Sequence, residues 1–223
     1  MAKLVIFDMD QTLLDLVPFH DKAYSRVFKE IFGIKTTFNK IDHSGKSYPV
    51  ITRMLGEIEQ VDKKKIEEKI PEVLILFQKY FNEAVSKMKV EPLSGAKELL
   101  EKLSSNKENI LAVASASPGE TVKLSLKNAG LLHFFREIKT ADDAEVKKGI
   151  VQIVKKEMNK DNKMKTFIIG DAVEDMDSGK NINATTIGIT TGSHSEKELK
   201  EHGANFVFTK IDVEKMLKII DGE

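Results

Sequence analysis

The chain has 223 residues, 41% hydrophobic and 31% charged, with 35 lysines and arginines against 35 aspartates and glutamates. That balance excludes a global field that would gather nucleic acid or an anionic membrane, and the absence of cysteine excludes disulfides, thiolate metal sites and thiol nucleophiles. No apolar run approaches the ~18 residues of a spanning helix, so the chain is expected to be soluble and cytoplasmic, one α/β unit with a modest insertion.

In chain order, the first short apolar run predicts a strand at 4–7. From about 16 to 90 no strand pattern appears, only helical stretches at 18–32, 48–56 and 62–88, the last expected to kink or split at Pro71. The spacing of Phe28, Ile31 and Phe32, and of Leu74, Phe77 and Phe81, makes these stripes the core of that segment. The run Lys63–Lys64–Lys65 reads as a solvated helix face. Beyond it, helix and strand alternate: helices at 95–104, 118–128, 149–158, 176–183, 196–201 and 213–220, and strands at 110–114, 137–139, 166–169, 186–189 and 206–208. Ser117, Pro118 and Glu120 form a predicted capping box, and Gly130 the matching stop. Alternation of this kind builds a doubly wound parallel sheet. The predicted architecture is an α/β core from 1–15 and 91–223, with a small all-helical insertion at 16–90 after the first strand.

Asp8 and Asp10 follow the first strand two residues apart, so in an extended segment both face one way, into the crevice where open α/β sheets bind ligands. Two such carboxylates either turn the chain after a strand or form a phosphoryl-transfer site, one attacking phosphorus while the other serves as acid and base. Other strand ends carry matching chemistry. Ser115 follows the strand at 110–114 and offers a hydroxyl to a phosphate oxygen, beside Ala116. Lys148, or Lys147 as the fallback, precedes a helix and offers a point charge, although a surface role is open to either. After the strand at 166–169 come Gly170, Asp171 and Asp175. Asp171 is a candidate metal ligand. Asp175 is either a ligand, an orienting group or an ordinary first-turn helix acid.

DMDQT, Ser115, Lys148 and GDAVED, in that order and over nearly the whole chain, resemble the haloacid dehalogenase-like hydrolase superfamily. The resemblance implies Mg²⁺, an aspartyl intermediate, Asp8 as nucleophile and Asp10 as acid/base, with Ser115 and Lys148 on the phosphoryl group. It also implies a metal held by Asp8, the backbone oxygen of Asp10 and Asp171, with Asp175 nearby. The insertion resembles the helical cap of the phosphoglycolate phosphatase and β-phosphoglucomutase branch, and His20 sits at the mutases' spacing from the nucleophile. Gln11 replaces the usual glycine, and Tyr48 stands where the mutases place an arginine for a second phosphate. Asp10 argues against dehalogenation, since an alkyl halide needs no proton on leaving.

In the cap, Lys46 either meets an anionic end of the substrate or belongs to the solvated surface, while Arg53 fits the surface or a structural ion pair. His20 is read as a hinge residue able to switch its proton, or as structural. The expected activity is a phosphatase for a small phosphorylated metabolite, phosphoglycolate-like or sugar-phosphate-like, by a monomer or homodimer. A phosphomutase and a non-catalytic metal-binding module are the alternatives.

Overall fold

The computed structural model describes residues 2–222, so Met1 and Glu223, the ends of the predicted core, lie outside the described residues. Strand β1 (Lys3–Phe7) leads into helices α1 (Val17–Phe32), α2 (Tyr48–Ile58) and α3 (Lys63–Lys87), with a 3-10 turn at Phe38–Lys40. Then come α4 (Ala96–Ser105), β2 (Ile110–Ala114), α5 (Gly119–Asn128), a 3-10 turn at Leu132–Phe134 and β3 (Glu137–Lys139). The chain ends with α6 (Lys147–Met158), β4 (Lys165–Gly170), α7 (Val173–Asn181), β5 (Thr185–Ile189), α8 (Glu196–Glu201), β6 (Phe206–Phe208) and α9 (Val213–Asp221). All six predicted strands form, in the order β3-β2-β1-β4-β5-β6 and all parallel, which is the predicted doubly wound sheet.

Both faces of the sheet are covered, which is why its central strands read as unbroken apolar runs. Leu4 and Ile6 of β1 face one side with Ala112, Ile168 and the Ile150, Val151 and Val154 stripe of α6. Val5 and Phe7 face the other with Leu111, Val113, Ile169, Leu99 of α4 and Met216 of α9. That second core continues into the helical segment through Tyr24, Phe28, Phe77 and Phe81, all fully buried. Of the predicted stripes, Phe28, Phe77 and Phe81 are core, while Ile31, Phe32 and Leu74 are partly buried and pack against it.

Residues 16–90 contain three α-helices and, among the described residues, no strand. The segment's entry and exit run side by side, with the Leu93 N–H donating to the Leu13 carbonyl at 2.8 Å.

Two local expectations are corrected. Helix α3 runs unbroken through Pro71, so of the expected kink or split the split does not occur. Pro71 and Glu67 are exposed, so the carbonyl that Pro71 deprives of a partner is open to water. Ser117 does not cap α5: Pro118 is the N-cap residue, and no side chain caps the helix there. The Ser117 N–H instead donates to Ser115 Oγ at 3.2 Å, turning the chain back toward the strand end. The other end behaves as predicted, with Gly130 at φ 72 and its N–H and that of Leu131 bonding back to Lys127 and Leu126.

Candidate active site

β1 lies between β2 and β4, where the strand order reverses, so its carboxyl end opens into the crevice between their loops. Asp8 sits there with its N–H on the Ile169 carbonyl at 2.9 Å. Its carboxylate contacts Lys147 Nζ, which also lies 2.8 Å from Asp175 Oδ1. One oxygen each from Asp8, Asp171 and Asp175 fall within 4.8 Å of one another, a spacing that suits a divalent cation. Burial first, then repulsion from Asp175 and Asp10, outweighs Lys147 and raises the Asp8 carboxyl from 3.8 to about 7. Asp171 is also pushed well up, by burial and by Asp8, Asp175 and Asp10. Such a cluster of mutually repelling buried carboxylates has room and reason for a cation.

The lysine is Lys147, not Lys148. Helix α6 starts at Lys147, two residues earlier than predicted, and Val146 before it is extended. Adjacent residues entering a helix point about 100° apart, so only one of the pair can face Asp8. Lys147 is buried and Lys148 exposed. A lysine in a helix's first turn runs against the helix dipole, and here two carboxylates hold it. Lys147→Met is expected to lower kcat by about 10²-fold or more by removing the charge beside Asp8. Lys148→Ala is expected to stay within about twofold in kcat, with stability within about 0.5 kcal/mol. Steady-state kinetics and thermal melts of the two variants check this, and the opposite ranking contradicts it.

Asp175 is a first-turn helix acid, one of its predicted roles, and also faces Lys147. Helix α7 starts at Val173, placing Asp175 in the first turn, where its Oδ2 accepts from the Ala172 N–H at 3.2 Å while Oδ1 faces Lys147. The loop is tightly fitted: a Cβ on Gly170 would come 2.2 Å from Asp175 Oδ2, and one on Gly192 1.9 Å from Asp171 Oδ2. Asp171 also accepts from Thr12 Oγ1 at 3.0 Å.

Asp10 is fixed from the other side. Its Oδ1 accepts from the Leu16 N–H at 2.9 Å, and its Oδ2 lies 3.0 Å from His20 Nε2. Burial works against its charge, but His20 and the Leu16 N–H prevail and hold its carboxyl below the ordinary value. His20 itself is buried between aromatic rings, stacked on Phe38 at 5.1 Å and Phe77 at 5.8 Å, so α1 aims it at Asp10. Gln11 adopts φ 58, so the turn usually built on glycine is kept by a residue that fits it less easily. Thr191 Oγ1 braces that turn by donating to the Gln11 carbonyl.

Asp8, Asp10, Ser115, Ala116, Ser117 and Asp171 line one side of a cavity of about 40 Å³, and Phe38, His43, Ser44, Lys46, Tyr48 and Ile51 the other. Ser115 is buried at the strand end, as expected. Lys46 lines the cavity too, but its Nζ is 2.9 Å from Asp42 Oδ2 and 3.3 Å from the Ser44 carbonyl. Arg53 lies outside the lining and pairs through both Nε and Nη2 with Glu67.

Sequence reasoning missed Thr12, His43, Ser44 and the loop after β5. Ser193 Oγ of that loop donates to Asp42 and lies 2.8 Å from Ser44 Oγ, bringing the helical segment onto the sheet's carboxyl end. The signal was available: Thr12 continues the two-residue spacing of Asp8 and Asp10, and residues 190–194 end a parallel strand like the others.

Pyrophosphatase PpaX from Halalkalibacterium halodurans is 25% identical to this chain over 205 residues, covering 91% of this chain and 90% of the relative. Among solved structures, a predicted phosphoglycolate phosphatase from Haemophilus somnus superimposes with a TM-score of 0.80 at 19% identity, covering 97% of each chain. A β-phosphoglucomutase from Clostridium difficile does so with a TM-score of 0.79 at 19% identity, covering 100% of this chain and 98% of the other. The family model described as haloacid dehalogenase-like hydrolase matches residues 5–189, from β1 through the end of β5 and so across every strand end that meets at Asp8. The chain belongs to the haloacid dehalogenase-like hydrolase family.

Proposed function

We propose that the protein is a Mg²⁺-dependent phosphatase of small phosphate monoesters, phosphoglycolate-like or sugar-phosphate-like, working through an aspartyl-phosphate on Asp8. The observation that carries this reading is the position of Asp8: Lys147 and two further carboxylates lie on one side of it, and the His20-bound Asp10 lies two residues on. An Asp8 oxygen attacks phosphorus, and the bond to the leaving oxygen breaks as that oxygen takes the proton that Asp10 carries into the step, leaving Asp10 as the carboxylate. Asp10 then removes a proton from water, which attacks phosphorus and frees phosphate and the Asp8 carboxylate. Lys147 holds the Asp8 carboxylate in line, and Ser115 faces the phosphoryl oxygens. Asp8, the Asp10 backbone oxygen, Asp171 and, at the cluster's edge, Asp175 would hold Mg²⁺, which offsets the repulsion between nucleophile and phosphate. Residues 16–90 act as a cap that closes the site against bulk water and limits substrate size.

The carboxylate cluster makes a stability prediction. The ionised form of Asp8 is disfavoured by folding, so the metal-free protein loses stability as pH rises from about 4, where the unfolded group titrates, to about 7, and Asp171 acts in the same direction. Mg²⁺ competes with the proton at Asp8 and is expected to raise Tm more at pH 8 than at pH 6. Melts with Mg²⁺ and with EDTA at both pH values measure this, and equal shifts contradict it.

A second reading, a phosphomutase, draws on the likeness to the C. difficile enzyme and on the His20 contact with Asp10. Tyr48 in place of the mutases' arginine speaks against it. A non-catalytic metal-binding module has no chemical need for Asp10. Phosphate release from small esters, with Mg²⁺ or EDTA, separates the three. Mg²⁺-dependent release supports the phosphatase. Sugar-phosphate isomerisation promoted by a bisphosphate, without release, supports the mutase. Metal binding with neither reaction supports the module.

A further inference from the structure

Three features of the cavity bear on what leaves the phosphorus. The first is size: the cavity is about 40 Å³, room for about three waters, and Asp8 and Ser115 line the side where the phosphoryl group would sit.

The second is charge. Both lysines reaching the site are already engaged, Lys147 with Asp8 and Asp175 and Lys46 with Asp42, and His20 Nε2 is turned to Asp10. His43 lies against Phe38 at 4.1 Å between ring centres, and burial disfavours its charged form. A carboxylate or second phosphate enclosed against this wall would be desolvated with no counter-charge. The charge that Lys46 could offer an anionic substrate is held by Asp42 instead.

The third is an unused hydroxyl. Tyr48 is 5% exposed and lines the cavity, and its hydroxyl lies toward the Ser117 and Thr121 side chains without a well-formed hydrogen bond among the described residues. A buried hydroxyl left unpaired is costly, and a ligand that pairs it recovers that cost. The ring is clamped by Phe77 at 4.5 Å and His20 at 5.7 Å, so the hydroxyl is held ready for a ligand. Burial pushes the phenol up, which keeps it neutral.

We propose that this site selects phosphate monoesters whose leaving group is a small, uncharged, hydroxyl-bearing alcohol, and that Tyr48 is the residue that recognises that hydroxyl. The assignment rests on the phosphatase reading of Asp8 and Asp10. It departs from the anhydride for which the Halalkalibacterium relative is named, and from the carboxylate-bearing phosphate ester of the Haemophilus one.

The test is kcat/KM of the full chain with Mg²⁺ on glycerol phosphate, phosphoglycolate, pyrophosphate and acetyl phosphate, the last reporting Asp8 chemistry without a hydroxyl to recognise. Glycerol phosphate is expected to exceed phosphoglycolate and pyrophosphate by about tenfold or more. Tyr48→Phe, which removes one oxygen and keeps the packing, is expected to lower the ratio of glycerol phosphate to acetyl phosphate about tenfold, mainly through KM. Asp42→Asn, on the exposed side of the ion pair, releases Lys46 and is expected to raise phosphoglycolate relative to glycerol phosphate. Turnover of acetyl phosphate with phosphoglycolate or pyrophosphate as the best ester, or an unchanged ratio in Tyr48→Phe, overturns the selection alone. No turnover of any of the four, with Mg²⁺ bound, overturns the phosphatase reading and the selection with it.

Discussion

Asp8→Asn abolishes turnover, with kcat falling on the order of 10⁴-fold or more, because an amide cannot form the phosphoryl bond that begins the reaction. Asparagine matches the shape of aspartate, so the loss is chemical. Its effect on stability has the opposite sign. Burial, with repulsion from Asp175 and Asp10 added, raises the Asp8 carboxyl to about 7, and removing that charge relieves Asp171 as well. The metal-free variant is therefore expected to melt higher than the metal-free wild type at pH 8, and to gain less from Mg²⁺. Phosphate release and melts on the same preparations measure both effects. A variant that keeps a tenth of wild-type kcat would contradict Asp8 as nucleophile.

Asp10→Asn is expected to lose about 10²- to 10⁴-fold in kcat on alkyl phosphates, the range for a positioned acid and base. The loss depends on the leaving group. An alkoxide needs a proton as the P–O bond breaks, and in the variant none comes through position 10. Acetate leaves acetyl phosphate as a stable anion without one, so the Asp8–phosphorus bond still forms. The second half-reaction then lacks its base, and the phosphorylated enzyme accumulates. Rapid-quench kinetics on glycerol phosphate and acetyl phosphate check the contrast. Equal losses on both would show that Asp10 acts only by positioning the loop that His20 and the Leu16 N–H fix.

The sheet was legible because its strands are buried on both faces. Runs such as Leu4–Val5–Ile6–Phe7 have no polar residue to disguise them, and their carboxyl ends locate the crevice. Asp8, Asp10 and Asp171 were readable for the same reason, since each directly follows a strand or lies two residues on. What failed lies where helix phase decides. Lys147 and Lys148 differ only in which way they point at the first turn of α6, and that depends on a helix start set by Asp8 and Asp175 from other parts of the chain. The predicted starts of α6 and α7 came too late because their first turns are built for the site rather than for helix propensity. Ser117 looked like a cap, but its backbone serves the Ser115 turn instead. The charge of Lys46 could not be counted from its type, because Asp42 consumes it in an irregular loop. His20 had the right spacing from Asp8, yet its contact with Asp10 exists only because Phe38, Phe77 and Phe81 fix the ring.

The central claim is that Asp8 carries the phosphoryl group, and the most direct measurement is chemical trapping. The Asp10→Asn variant is loaded with acetyl phosphate and Mg²⁺, quenched, reduced with borohydride and mapped by peptide mass spectrometry. Borohydride converts a carboxyl–phosphate anhydride to homoserine and leaves free carboxylates untouched. Homoserine in place of Asp8, absent without acetyl phosphate and absent in an Asp8→Asn control, is the predicted result. Homoserine at Asp171 or Asp175, or an unmodified Asp8 in enzyme that has released acetate stoichiometrically, would contradict it.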